Sequence, residues 1–308
     1  MAATADLFLG GTWVKVPAVD VNGTKLVVSG NWLRIAAMDG EDCPERELED
    51  PERCIRTLKD RQAHSVRADV LTFAQVVPST EPKYRYPMQQ DSIATIRMNS
   101  YKEWWESLPQ ETRKNTRRAA KRGVVVSIRE LDDQLIRQIM EINNETPSRQ
   151  GRRFTHYGAS FDDVKRDYAS FAYRSEYVCA HFGDELIGVS KIVYGGHVAA
   201  IMKLQPKISH YDKRPANAVL AKSIERCAEK GASCITYGKY RYGRQENTSL
   251  MEFKSRHGFE EVLVPRYYVP LSVKGSVAVK LGLYRDMVEI LPESAIRVAR
   301  SVRKRWHT

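Results

Sequence analysis

The chain has 308 residues, 42% of them hydrophobic and 28% charged, with 18 Gly and 13 Pro. This is globular composition, enough for about two domains, and it excludes a disordered, collagen-like or coiled-coil chain. The formal net charge of +11 is uneven: the first 90 residues hold 11 Lys and Arg against 13 Asp and Glu, so the whole basic excess follows them and a polyanionic partner is expected for the second part.

No uncharged apolar run approaches the roughly 18 residues needed to cross a bilayer. The opening MAATADLFLGG lacks the basic n-region of a signal peptide, so a cytoplasmic protein is expected. Cys43, Cys54, Cys179, Cys227 and Cys234 are scattered without CxxC spacing, which argues against a disulfide framework and a zinc site. No metal is expected, and Cys227 and Cys234 sit in apolar runs as small core residues.

In chain order, VDV, Asn22-Gly23 and TKLVV predict a hairpin, because Asn-Gly supplies the positive φ angles of a type I′ turn. A third strand is expected at Trp32 to Ala37, then a helix capped by Asp50 with Pro51 at its first position, facing inward through Ile55 and Leu58. Strands follow at 69–76 and 92–98. Next come a short aromatic helix, a basic helix ending at Gly123, and a strand. Leu131, Leu135, Ile139 and Ile142 form one helical stripe; Phe161, Val164, Tyr168 and Phe171 form another, capped by Ser160. YVCAHF, LIGVSKIVY and HVAAIMKL predict a three-strand meander. A helix at about 215–230, strand SCITYGK, a helix at about 247–257 closed by Gly258, and strand EEVLVPRYYVPL complete the order. No internal repeat is evident in the sequence.

Three strings within that order carry a resemblance: LPQETRKNTRRAAKRGVVV, RPANAVLAKSIERCAEKGASCITYGKYRYG and SLMEFKSRHGFEEVLVPRYYVPL. Over roughly residues 100–272 they resemble the GNAT-related group of FemAB-type aminoacyltransferases and their acetyltransferase-like (BioF2-like) relatives. The resemblance implies an α+β fold, a GNAT-like mixed, mostly antiparallel sheet flanked by helices. The expected division is a smaller N-terminal α+β domain at 1–98, the acyltransferase domain at 99–272 and a basic helical tail at 273–308. It implies transfer of an acyl or aminoacyl group onto an amine of a cell-envelope or polysaccharide precursor, from aminoacyl-tRNA or acyl-CoA. Lys254, with Phe253, matches the family's FK pair, where a fixed cation helps hold the donor and the developing oxyanion. Apart from the resemblance, Lys254 also reads as a helix-end lysine compensating C-terminal carbonyls.

One departure stands out. Ordinary acetyltransferases place a Gly-rich turn before the central helix, where backbone amides approach the pyrophosphate of coenzyme A. Here that stretch is LQPKISHYDKRPANAVL, without glycine, which disfavours a standard acetyl-CoA site. Lys207, His210, Lys213, Arg214 and Asn217 are nevertheless candidates to meet the donor's phosphate, with Tyr237 and Tyr242 from YGKYRYGR offering aromatic faces beside Lys239, Tyr240 and Arg244.

Between the two early helices, NETPSRQGRRFTHYG gathers Arg149, Gln150, Arg152, Arg153 and Tyr157, whose guanidinium forks suit phosphate or carboxylate; an arginine-rich surface loop is the plainer reading. His156 is a candidate base for collecting the amine's proton, with His210, Glu145 and Asp212 as alternatives. The basic helix offers Arg113, Arg117, Arg118 and Lys121 to the phosphates of an RNA donor, with no aromatic inside the run to stack bases. It reads equally as a helix packed through Ala119 and Ala120 with its basic face in water. SAIRVARSVRKRWHT suggests a weak peripheral membrane contact near a lipid-linked acceptor. No DNA partner is expected. No GxSxG, HExxH, GxxxxGK[ST] or GxGxxG motif is present. The runner-up readings are an acyl-CoA-dependent N-acetyltransferase with a divergent cofactor loop and a non-catalytic RNA-binding protein.

Overall fold

Asn22 and Gly23 take φ angles of 52° and 81°, and the hairpin they close lies near one edge of a long sheet. The computed structural model describes residues 3–9, 12–41, 43–44, 46–60, 65–149, 152–241 and 248–283. The first segment contains β1 (Ala3–Leu9), β2 (Thr12–Val21), β3 (Thr24–Ser29), β4 (Ile35–Met38), α1 (Pro51–Lys59) and β5 (Val70–Ala74). Asp50 caps α1 by accepting from Arg53 N, as its position before Pro51 predicts. β6 (Met88–Arg97), α2 (Tyr101–Ser107) and α3 (Gln110–Lys121) follow.

The second segment holds β7 (Val124–Arg129), α4 (Asp133–Asn143), the two-residue strands β8 (Ser148–Arg149) and β9 (Arg152–Arg153), and α5 (Phe161–Ala169). It continues with β10 (Ser175–Phe182), β11 (Glu185–Gly195), β12 (Val198–Pro206), α6 (Pro215–Glu229), β13 (Cys234–Lys239), α7 (Ser249–Arg256), β14 (Glu260–Pro270) and α8 (Val273–Lys280).

Among the described residues one 12-stranded sheet runs in the order β1-β2-β3-β4-β5-β14-β6-β13-β12-β11-β10-β7. Its pairings are antiparallel except β4 with β5 and β12 with β13. The order reads the same from either edge: four antiparallel strands, a helical crossover, a parallel fifth strand, and a sixth at the centre. The central strands are exchanged, since β6 pairs with β13 of the second segment while β14 pairs with β5 of the first. This topological repeat has no counterpart as a repeated sequence.

β10 to β12 are covered on both faces, which is why they read as nearly continuous apolar runs. Val178, Ala180, Ile187 and Ile201 pack with Val219, Leu220 and Ile224 of α6. From the same strands, Tyr177, Cys179, Leu186 and Val189 pack with Leu135, Ile136 and Ile139 of α4 and with Val164 and Tyr168 of α5. A separate core joins α1 to the first segment, with Leu26, Leu71, Phe73 and Tyr267 at its centre. Arg266 of β14 ties the segments together, pairing with Glu41 at 2.9 Å and Asp91 at 2.6 Å.

No helix among the described residues is long and apolar enough to cross a membrane.

Candidate functional site

The parallel pairing of β12 with β13 lasts three residues, from Val198 opposite Cys234 to Ala200 opposite Thr236. A register shift against β11 then leaves Met202 as an extra residue in β12, and a bulge of this kind bends a strand and takes a residue out of the ladder. Beyond the bulge the two strands part. The opening is a cleft of about 1260 Å³ bounded by Met202 to Pro206 of β12, Tyr237 of β13, Phe253 of α7 and the N-terminal ends of α6 and α7.

Among the described residues its charged lining side chains are Arg149, Lys203 and Arg214, with no Asp or Glu, and His156 adds a titratable ring. Arg214 precedes α6 in the left-handed conformation at φ 59°, performing with an arginine the turn for which glycine is the usual choice. No side chain caps α6, and Pro215 stands at its first position. The amides of Ala216 and Asn217 are therefore first-turn donors without intrahelical partners, in residues that line the cleft. Thr248 and Ser249, at the start of α7, line it as well. Two helix N-termini thus meet at one opening, an arrangement that favours an anion.

Lys254 is fully buried. Its Nζ donates to the carbonyls of Tyr237 at 2.7 Å and Lys239 at 2.6 Å, and it sits 4.4 Å from the Tyr237 ring centroid. Burial pushes its pKa down to about 8. The ammonium lies behind Tyr237 and holds the end of β13, whereas Phe253 and Tyr237 themselves line the cleft.

On the opposite wall, Asp167 of α5 receives Lys203 at 2.8 Å and has His156 Nδ1 at 3.8 Å. Burial and the Lys203 charge push the His156 pKa down to about 4 despite Asp167, leaving a neutral ring in the physiological range. Phe8 stacks on that ring at 5.9 Å, so the first edge strand reaches across to this wall. Tyr168 donates from its hydroxyl to Gln205 Oε1 at 3.1 Å, orienting a further lining side chain.

Arg149 lines the cleft with its fork already engaged: Nη2 donates to Ile142 O at 2.7 Å and Nη1 to Pro206 O at 3.2 Å. It links the end of α4 to the end of β12. Glu145 accepts from Ile208 N at 2.5 Å and Ser209 N at 2.6 Å, clamping the turn that leads into α6. Burial would raise its pKa, but these two amides, together with the Ser209 hydroxyl and the Arg149 charge, outweigh burial and lower it.

The other sequence candidates lie apart from the opening. Lys207 and His210 pair with Glu185, and Lys213 lies 4.2 Å from the Phe182 ring centroid. Asp212 pairs with Lys213 at 3.5 Å and accepts Arg122 at its carbonyl. Arg153 and Tyr157 are exposed outside the lining. Arg117 and Lys121 are exposed on α3, where Arg117 stacks over Trp105 at 5.6 Å; Arg118 pairs with Glu111 at 3.1 Å, and Arg113 is half-buried. Gln150, Tyr242, Arg244, the Arg152 side chain and the tail from 284 lie outside the described residues. Among the described residues no group of three or more His, Cys, Asp or Glu could hold a metal ion.

Sequence reasoning missed Lys203, Asp167 and Gln205. The one local signal was a lysine interrupting the apolar run of HVAAIMKL.

No family model matches the sequence, and no curated protein matches it. Solved structures do resemble the fold. FemX matches with a TM-score of 0.52 at 11% identity, covering 85% of this chain and 88% of that one. L-PGS from Bacillus licheniformis matches with 0.56 at 10% identity, covering 86% and 88%. A DUF2156 C-terminal domain from Agrobacterium fabrum matches with 0.53 at 10% identity, covering 86% and 87%. The chain therefore has the FemX-like arrangement of the GNAT fold, the mixed and mostly antiparallel α+β sheet that its three motifs led to expect.

Proposed function

We propose that the chain is an acyltransferase whose cleft between β12 and β13 takes an activated, phosphate-bearing acyl or aminoacyl donor and passes the acyl group to an amine. The observation that carries this reading is the lining: among the described residues, three cations, two helix N-termini and no carboxylate surround a partly apolar opening. Such a surface favours a phosphate at the α6 end and an apolar or neutral arm along Met202, Leu204, Tyr237 and Phe253.

In the reaction the amine lone pair attacks the acyl carbon, the carbonyl becomes an oxyanion, and the donor's alcohol or thiol departs with a proton. Fixed positive charge near the carbonyl stabilises an oxyanion that exists only in the transition state. Lys254 contributes as a positioning residue, its ammonium fixing Tyr237 and Lys239 while adding charge behind them. The neutral His156 is too weak a base to deprotonate a free ammonium. It suits the later proton, released after attack, when the nitrogen is far more acidic. Lys203 and Asp167 hold the wall beside it.

The acceptor proposed is an amine of a lipid-linked or other cell-envelope precursor. The FemX-like fold and the lysylphosphatidylglycerol synthetase description of one neighbour support that class. For the donor, the glycine-free turn supports aminoacyl-tRNA over acyl-CoA, and the exposed Arg117 and Lys121 offer contacts to RNA phosphate.

The test supplies radiolabelled aminoacyl-tRNA, or labelled acetyl-CoA, with UDP-linked precursors and amino-lipids. Label should appear in a base-stable amide with one donor, and Lys203→Glu should abolish it. Tight RNA binding with no transfer to any amine would favour the non-catalytic reading.

A further inference from the structure

His257 closes α7 as a residue only 3% exposed, its ring packed 4.1 Å from the Phe253 ring. Its Nδ1 lies 2.6 Å from Phe253 O. A carbonyl only accepts, so Nδ1 carries the proton. Burial, opposed by that bond and reinforced by Arg256, pushes the ring's pKa down to about 4. The ring is therefore neutral and its Nε2 is bare. The amide of Asn217 stands 3.0 Å from that nitrogen through Nδ2, which must donate. A reversed amide would set two acceptors face to face.

The amide thus has one orientation, and Oδ1 is left to accept. Asn217 lies in the first turn of α6 and lines the cleft, and no described residue donates to its Oδ1. Around it the lining supplies donors: the Ala216 and Asn217 amides, the Arg214 guanidinium and the start of α7. Those groups suit a phosphate. An acceptor fixed among them is suited to something else on the same ligand.

We propose that His257 positions Asn217 so that its carbonyl oxygen reads a hydroxyl or N–H group carried next to the ligand's phosphate. This deepens the proposed function and rests on its phosphate-bearing donor. Two ligand types carry that chemistry: a nucleotide through its ribose hydroxyls, and a pantetheine chain through its hydroxyl and amides.

The experiment titrates the full chain by NMR with inorganic phosphate, adenosine 5′-phosphate and 4′-phosphopantetheine. Wild type should bind one of the two organic phosphates more tightly than inorganic phosphate, and which one identifies the ligand type. Asn217→Leu should weaken that probe about fivefold to tenfold, the size of one neutral hydrogen bond, while leaving inorganic phosphate unchanged. His257→Phe should do the same, and His257→Gln, whose side-chain oxygen can accept from Asn217 Nδ2, should restore binding. Long-range proton–nitrogen spectra of wild type should show Nδ1 protonated and Nε2 bare. The opposite tautomer, or an unchanged probe-to-phosphate ratio in Asn217→Leu, overturns this proposal alone. Binding of none of the three probes by wild type overturns the proposed function with it. Should His257→Phe fail to fold, Asn217→Leu, at the cleft surface, still decides.

Discussion

Replacing Lys254 by Met keeps the length and apolar stem of the side chain and removes its charge. In the folded chain burial lowers the ammonium's pKa from 10.5 to about 8, a difference of about 3 kcal/mol at 1.36 kcal/mol per unit. Between those pH values the unfolded chain holds a proton that the folded chain releases, so stability rises with pH across this window. Below about pH 8 both states are protonated and the full cost of burying the charge is present. Opposing it are the bonds to the Tyr237 and Lys239 carbonyls, about 1.5–3 kcal/mol each for a charged donor. At pH 7 Lys254→Met should therefore be less stable by about 0–3 kcal/mol. The pH dependence is the sharper test. In urea unfolding from pH 7 to 10.5, wild type should gain about 3 kcal/mol relative to the variant, the subtraction cancelling tyrosines and other shared groups. A flat difference would refute the buried, desolvated ammonium and with it the role assigned to Lys254.

Glu145→Gln, which retains one acceptor oxygen, should lower stability at neutral pH by about 1–2 kcal/mol. Because the folded carboxyl's pKa is lowered, that advantage of wild type should be present above the unfolded value and vanish as pH falls through the folded one, as urea titrations at several pH values would show. Arg266→Met leaves Glu41 and Asp91 without their cation and should cost about 2–4 kcal/mol, below the range for wholly buried pairs because the side chain is partly exposed; chemical denaturation measures it. Reversing charge at Arg117 and Arg118 together should weaken tRNA binding and reduce the slope of log affinity against log salt by about 1–2, read by filter binding across a salt series. An unchanged slope would remove α3 from the RNA contact.

Local chemistry made much of the fold legible. Asn22-Gly23, the Asp50 and Ser160 caps and the stripe from Leu135 to Ile142 all act over a few residues, and each element stands where its signal lies. The exchange of β6 and β14 was not legible, because the pairing of Thr95 with Glu260 leaves no trace in the residues near either. β1 was missed for a related reason: its short run is stabilised by its partner Thr12 to Ala18 rather than by a turn signal of its own. Of the residues singled out in the motifs, Phe253, Tyr237, Arg214 and Asn217 line one cleft. They did not reveal that the fork of Arg149 is engaged by backbone carbonyls, or that Lys203 meets Asp167, 36 residues earlier in the chain. Residue type announces a cation in either case; only packing decides whether the charge is free for a ligand.

The central claim is that the parted strands and the α6 N-terminus bind a phosphate-bearing acyl donor. The most direct measurement is thermal unfolding of wild type and Arg214→Glu with coenzyme A, acetyl-CoA, a charged tRNA mixture and UDP-linked sugars. A donor present at about 100 times its dissociation constant should stabilise wild type by about 2.7 kcal/mol, and Arg214→Glu should lose that shift while keeping its ligand-free melting temperature. No shift with coenzyme A, acetyl-CoA or charged tRNA, or an equal shift in Arg214→Glu, would contradict it.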